Sequence, residues 1–299
     1  LAIHDLKLFQ RVAALGNLSA TAREWGVPTS QVSRALARIE SVCGARLVRR
    51  STHGLTLTPE GDTFLAYSQR IAGAVEELEG EFASHAGDVH GLVRVAASSV
   101  IAEHLLLPGL DELGARHPRL RVALIVSDQT MDMARDGIDV SIRTGASLPE
   151  TLVARRIGSL HRALYASAGY AARAGLPTHP AELARHQLVT NSAATHLNRW
   201  TFKLDGVSAR HVAEGHWQSN DTGMTTHMVL QGLGIGRLAT VVADPLVRQG
   251  RLVPVLAQCL DEEALPIYAV TASSRQRLPK IRACIDFWSE QLARAQATS

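Results

Sequence analysis

Between Asn17 and Glu40 the apolar positions fall at helical spacing twice over, with a glycine between the two runs. Leu18, Ala22 and Trp25 share one face of a short first helix, and Val32, Ala35, Leu36 and Ile39 share one face of a second. The spacing predicts two helices joined by a tight turn at Gly26, which lacks the Cβ that would oppose positive φ. Ala22 is small enough to let the helices cross closely, and Val32 is placed to lock the second onto the first. Asn17 or Ser19 can cap the first helix, while Pro28 and Thr29 open the second. Upstream, residues 4–15 carry Leu6, Phe9, Val12 and Ala13, with Leu8 beside them, and predict an opening helix packed beneath the pair. Downstream, Leu47-Val48 and Leu55-Thr56-Leu57 read as two short strands about a Ser51-Thr52-His53-Gly54 turn, a wing.

Thr58 as cap and Pro59 at the first helical position start a helix expected to reach about Gly87. Within it Phe64, Ile71, Val75, Leu78 and Phe82 recur at spacings of seven, four, three and four, a heptad stripe. The stripe is narrow and has no neighbouring helix in sequence, so it predicts a dimerisation surface in preference to packing within its own domain. The segment from Gly87 to Gly91 reads as a hinge. Beyond it strands and helices alternate, the pattern of α/β domains. Strands are expected over 92–97, 120–126, 138–143, 152–158, 161–167, 187–190, 211–218, 235–238, 251–256 and 267–271. Helices are expected over 99–116, 130–136, 180–186, 222–231, 244–249 and 279–295.

Charge sharpens this division. Residues 1–58 hold eight Lys/Arg against three acids, a net of +5, which leaves −2 for the rest of a chain whose total is +3. A basic head on a mildly acidic body is the footprint of a nucleic-acid module joined to something else. The 299 residues suffice for several domains, with 46% hydrophobic content and a mean hydropathy of +0.02. No apolar run is long enough for a membrane span. Asp5, Lys7 and Arg11 interrupt the apolar N-terminus, unlike a secretory leader, and an initiating methionine is expected before Leu1. Cys43, Cys259 and Cys284 are widely separated, which argues for a reducing compartment and against a disulfide framework or zinc site.

The polar face of the second helix carries Thr29, Ser30, Gln31, Ser33, Arg34 and Arg38. Short hydroxyls and an amide at a helix start suit base edges in a major groove, and the arginines that follow suit phosphates. Arg49, Arg50, His53 and Thr58 extend that candidate DNA surface along the wing. An ordinary helical hairpin with a solvated face is the alternative.

The order DLKLFQRVAALGNLSATAREWGVPTSQVSRALARIE, followed by GARLVRRSTHGLTLTPEG, resembles the winged helix-turn-helix of LysR-type transcriptional regulators. The chain departs from the family at the wing tip, where His53 stands in place of the common arginine. The resemblance extends through GIDVSIRTG at 137–145, LVARRIGSLHRALYASAGYAARAGLP at 152–177 and GLGIGRLA at 232–239. It implies an all-α winged helix-turn-helix over 1–58 and a linker helix over 59–88 that pairs two subunits. A two-lobed α/β effector domain over 89–299, resembling periplasmic solute-binding proteins, is implied to follow. Its first lobe would take about 89–160 and 266–299, its second about 161–265, with the chain crossing near 160 and 265.

A ligand would then sit between the lobes, at strand C-termini and helix N-termini. Ser98 and Ser99, where the first strand gives way to a helix, are candidates for an anion such as a carboxylate, mostly on the strength of the resemblance; a plain N-cap is the other reading. Asp128 and Arg143 point to the same crevice, although Arg143 could equally form a salt bridge with Asp139 or another acid. Asn220 and Thr222 are candidates from the second lobe. Gly234 to Ala239 matches a dinucleotide fingerprint, but a helix and not a strand precedes it, so tight packing is the expected use of its glycines. The thirteen histidines show no metal-ligand spacing, and neither a nucleophile elbow nor a catalytic cysteine signature occurs.

The expected function is a sequence-specific DNA-binding regulator whose promoter binding answers to a small molecule, with no cofactor and no catalysis. Its partners would be duplex DNA, the effector and its own copies as homodimer and homotetramer, with RNA polymerase among the candidates and no membrane. The competing reading is an α/β solute-binding or catalytic protein with an N-terminal helical interaction domain.

Overall fold

The computed structural model describes the chain except residues 52–53, 86–88, 146–151, 262–263, 274 and 299. Helices α1 (Ile3–Leu15), α2 (Leu18–Trp25) and α3 (Thr29–Cys43) close around Phe9, Val12, Ala22, Val32, Leu36 and Ile39. Asn17 caps α2, its side-chain oxygen accepting the N–H groups of Ser19 at 2.8 Å and Ala20 at 3.2 Å. Gly26 turns the chain at φ 64°. At the far end of α3 the buried Glu40 carboxylate accepts the N–H groups of Leu47 at 2.9 Å and Val48 at 3.3 Å, and meets Arg46 at 3.3 Å. The last turn of α3 thereby fixes the wing, in which β1 (Val48–Ser51) pairs antiparallel with β2 (Gly54–Leu57).

Helix α4 (Pro59–His85) begins under this knot. The Thr58 hydroxyl accepts the Gly61 N–H at 3.0 Å and donates to the Arg46 carbonyl at 2.7 Å. Gly61 passes so near the wing that a Cβ there would stand 2.0 Å from the Leu47 carbonyl oxygen. The expected heptad stripe divides. Phe64 meets Phe9 edge-on at 4.8 Å and packs on the head core with Leu65, while Ser68 and Ala72 further along are buried, because α1 lies against this part of the helix. Val75 is half-buried, and the Phe82 side chain lies outside the described residues. The exposed apolar stripe is Tyr67, Ile71, Ala74 and Leu78, so Tyr67 takes the outer place expected of Phe64.

The body contains two five-stranded sheets. In the first, β4 (Leu120–Val126), β3 (Gly91–Ala97) and β5 (Val140–Thr144) run parallel, β14 (Leu265–Ala272) pairs antiparallel with β5, and β6 (Leu152–Leu160) pairs antiparallel with β14 at the edge. The second has the order β11 (Trp217–Ser219), β8 (Leu188–Asn191), β12 (Ile235–Ala239), β7 (Arg162–Ser167) and β13 (Leu252–Val255). The chain leaves the first sheet after Leu160 and returns to it at Leu265, beside the expected crossings. Helix α10 (Pro279–Thr298) packs Ile281, Cys284, Ile285, Trp288 and Leu292 back onto the first sheet.

Several elements differ from the sequence reading. Residues 130–136 form turns instead of a helix, because the Asp132 carboxylate captures the N–H groups of Ala134 and Arg135, both at 3.0 Å. The helical run 99–116 widens into a π turn at Ala102–Leu106 and tightens at Leu107–Gly109, where Pro108 has no N–H to offer. The expected strand 211–218 is divided between β11 and a hairpin, β9 (Arg199–Leu204) with β10 (Val207–Val212), turned by Asp205 and Gly206 at φ 49° and 82°. Helix α7 (Ala168–Ala174), capped by Ser167, adds a turn the apolar pattern did not announce.

Glu40→Ala should lower head stability by about 1–3 kcal/mol, since the buried Leu47 and Val48 N–H groups lose their acceptor. Urea unfolding followed on Trp25 would measure it; an unchanged midpoint would rule the knot out as a stabilising element.

Candidate nucleic-acid interface and ligand cleft

The outward face of α3 holds Thr29, Ser30, Gln31, Arg34 and Arg38 exposed, with Ser33 half-buried and Arg49 exposed on β1. Two expected contacts serve the scaffold. Arg38 pairs with the buried Asp5, which bridges α3 to α1. The Ala2 N–H, followed by the Arg38 guanidinium, holds the Asp5 carboxyl below its usual range against the opposing effect of burial. Thr58 is buried with its hydroxyl fully used as the α4 cap, so it offers DNA nothing. His53 and the Arg50 side chain lie outside the described residues.

Between the sheets, Ser98, Asp128, Arg143 and Thr222 line one cavity of about 130 Å³, together with Arg162 and His196. Ser98 also caps the following helix, accepting the Ile101 N–H at 3.4 Å. Ser99 reaches across instead: its Oγ accepts the Gly223 N–H at 2.9 Å and lies 3.1 Å from the Thr222 hydroxyl. Asp128 makes a second bridge, accepting Asn191 Nδ2 at 2.8 Å and the Thr222 hydroxyl at 3.2 Å. Asn220 is exposed and does not line the cavity, because Asp221 turns the chain by capping α8 (Thr222–Leu230) through the Met224 N–H at 2.7 Å. Asn191, at the end of β8, supplies the amide expected of it.

Arg143 does not pair with Asp139. That carboxylate is held by Arg275 and by the Arg94 N–H at 2.8 Å, while Arg143 Nε donates to Ser141 Oγ at 3.2 Å. Burial lowers the Arg143 pKa. Burial first, then the charges of Arg162, Arg237 and Arg199, lowers that of His196, with Asp128 in partial opposition. Two arginines, Arg143 and Arg162, stand against Asp128, the single carboxylate among the described lining residues, so the crevice is electropositive. Arg162, His196 and Asn191 escaped the sequence reading; a cation directly after the first lobe crossing was the available signal for Arg162.

The glycines of the apparent dinucleotide fingerprint serve packing. A Cβ on Gly234 would lie 2.3 Å from the Gln187 carbonyl oxygen, and one on Gly236 would lie 2.6 Å from Val229. Cys259 and Cys284 are buried, and burial pushes the Cys284 thiol up to about 12. Among the described residues, no group of three His, Cys, Asp or Glu side chains is placed to hold a metal ion. No described helix is long and apolar enough to cross a membrane.

A winged helix-turn-helix carried on a long helix, with a two-lobed α/β ligand cleft behind it, defines a ligand-responsive DNA-binding regulator. Residues 3–62 match the bacterial regulatory helix-turn-helix protein family of lysR type, and residues 86–293 match the LysR substrate binding domain. The chain belongs to the LysR family of transcriptional regulators. It is 31% identical to an HTH-type transcriptional regulator of Xanthomonas campestris pv. campestris, over 95% of this chain and 84% of that one. The structure of CrgA, a LysR-type transcriptional regulator from Neisseria meningitidis, is similar at 28% identity and a TM-score of 0.64, covering 98% of this chain and 99% of that one. The full-length Vibrio cholerae virulence activator AphB is similar at 25% identity and a TM-score of 0.63, covering 96% and 98%.

His196 gives a pH signature. Its folded pKa lies below its ordinary 6.5, so its contribution to stability is complete above that value and declines as pH falls through the window beneath it. His196→Gln should flatten that part of the stability profile, measured as urea midpoints from about pH 7.5 to 5.5. Parallel profiles for parent and variant would refute the assignment.

Proposed function

We propose that this regulator reads duplex DNA through Thr29, Ser30, Gln31, Ser33 and Arg34 of α3, with Arg49, Arg50 and His53 of the wing adding backbone contacts. Its promoter binding responds to a small anion, a carboxylate by chemistry, taken up between the lobes. The observation that carries this reading is the cleft itself, where Arg143 and Arg162 line one cavity with a single carboxylate, Asp128, that already accepts two hydrogen bonds from the opposite lobe. A crevice whose arginines are buried (Arg162) and half-buried (Arg143) favours an anion, and 130 Å³ suits a small one. The exposed stripe Tyr67, Ile71, Ala74 and Leu78 supports pairing of two subunits through α4, with the effector domains pairing separately to give a tetramer. RNA polymerase is the further partner of such a regulator, the cytoplasmic nucleoid is its place of work, and it catalyses no reaction.

Arg34→Ala should weaken operator binding strongly, and Gln31→Ala should reorder the ranking of sites in a library, a bidentate base contact being worth about 1–3 kcal/mol. An unchanged ranking for the glutamine variant would remove α3 from base reading. Ser99→Ala should abolish the footprint shift produced by a panel of small carboxylates while leaving basal DNA affinity near the parent's. A variant that shifts at the parent's carboxylate concentration would move the ligand site elsewhere.

A further inference from the structure

Where α1 and α2, α4 and the first lobe meet, the chain lines a second, solvent-open cavity of about 640 Å³, which shares no lining residue with the cleft. Seven Lys or Arg side chains line it against two carboxylates, Glu24 and Asp139. Both acids are already committed. Glu24 accepts Arg11 Nε at 2.9 Å and Nη2 at 2.6 Å, and Arg94 of β3 stands 3.9 Å away. Asp139 is held by Arg275 and the Arg94 N–H. Arg70 of α4 and Arg135 of the first lobe meet no carboxylate among the described residues, while Trp25, Leu92, Met133 and Ile138 give the cavity an apolar wall.

We propose that this junction is a second small-molecule site, one that takes an anion carried on a flat apolar body. The volume lies in the range of sites that enclose drug-sized ligands, which combine an apolar lining with a few convergent polar groups. Cations gathered in a partly dehydrated space raise the local positive potential, and an anion relieves it. The lining comes from three bodies: Arg11 and Trp25 from the head, Arg70 from the linker, Arg94 and Arg135 from the first lobe. The ties between these bodies among the described residues include Gln69 Nε2 donating to the Ala134 carbonyl at 2.7 Å and the Glu24–Arg94 approach at 3.9 Å. A ligand contacting all three binds one arrangement of head and body better than others, and so changes DNA affinity independently of the cleft.

The probe is 1-anilinonaphthalene-8-sulfonate, a fused aromatic sulfonate, titrated into the full-length protein by calorimetry and fluorescence. The parent should show one saturable, salt-weakened site per chain, and saturation should change its affinity for operator DNA. Arg135→Glu reverses an exposed charge at the rim, and Ala66→Trp fills the cavity from an exposed position on α4. Each should weaken the dye at least about tenfold, a ratio equivalent to 1.4 kcal/mol. Arg143→Ala, in the cleft, should leave dye binding as in the parent. Absence of a saturable parent site, parent-like affinity in either junction variant, or loss of binding in the cleft variant would each overturn the proposal.

Discussion

The sensing half of the molecule depends on two polar side chains of the first lobe that hold the second across the crevice. Ser99 accepts the Gly223 N–H, and Asp128 accepts Asn191 and Thr222. Such hydrogen bonds are worth about 0.5–1.5 kcal/mol each in net terms, more where a charge takes part. Their sum is within reach of the binding energy of a small ligand, which can therefore reset the relation of the lobes. Asp128 has a further role as the anion the crevice already owns. On the proposed reading, a carboxylate that enters beside Arg143 and Arg162 competes with Asp128 for the same field, which would make ligand uptake and rearrangement of the bridge one event.

The head uses buried carboxylates in a different way. Asp5 and Glu40 are both buried acids, and each ties a recognition element to its neighbour: Asp5 joins α3 to α1, and Glu40 joins α3 to the wing. The exposed cations, Arg34 and Arg49 among them, stay on the surface. Acid inside and base outside produces a rigid scaffold with a positive face, which is the arrangement that phosphate contacts require.

That partition also explains what could be read from the sequence alone. Helical periodicity announced α1 to α4, and the alternation of strands and helices announced an α/β body, because local pattern determines both; the division into two lobes with two crossings came from the family resemblance. Arg38 and Thr58 were legible as polar residues on the right segments, yet their partners lie in other elements, Asp5 33 residues from Arg38 and Arg46 12 residues from Thr58. Phe64 satisfied the heptad spacing, but spacing cannot tell which side of a helix another helix covers. The β9–β10 hairpin carried an Asp205-Gly206 turn signal, while Val207 to Val212 is almost wholly exposed and so lacks the alternation that marks a strand. Arg162 and His196 converge with Arg143 only through the fold, and no spacing in the chain encodes that meeting.

The remaining question is how a bridge in the cleft is felt at the DNA. Helix α4 has 27 residues, which at 1.5 Å each separate its ends by roughly 40 Å, so a ligand in the cleft cannot touch the duplex. Within one chain the head meets the first lobe at Glu24 with Arg94, and the linker helix meets it at Gln69 with Ala134. The second lobe is attached to the first by two chain crossings and the polar bridge, which makes it the part freed or locked when the bridge is remade. In the proposed assembly, a change there would reach the heads through the arrangement of neighbouring subunits. Paired recognition helices fix a spacing along the duplex, so a modest rotation of one subunit against another alters how far the DNA must bend.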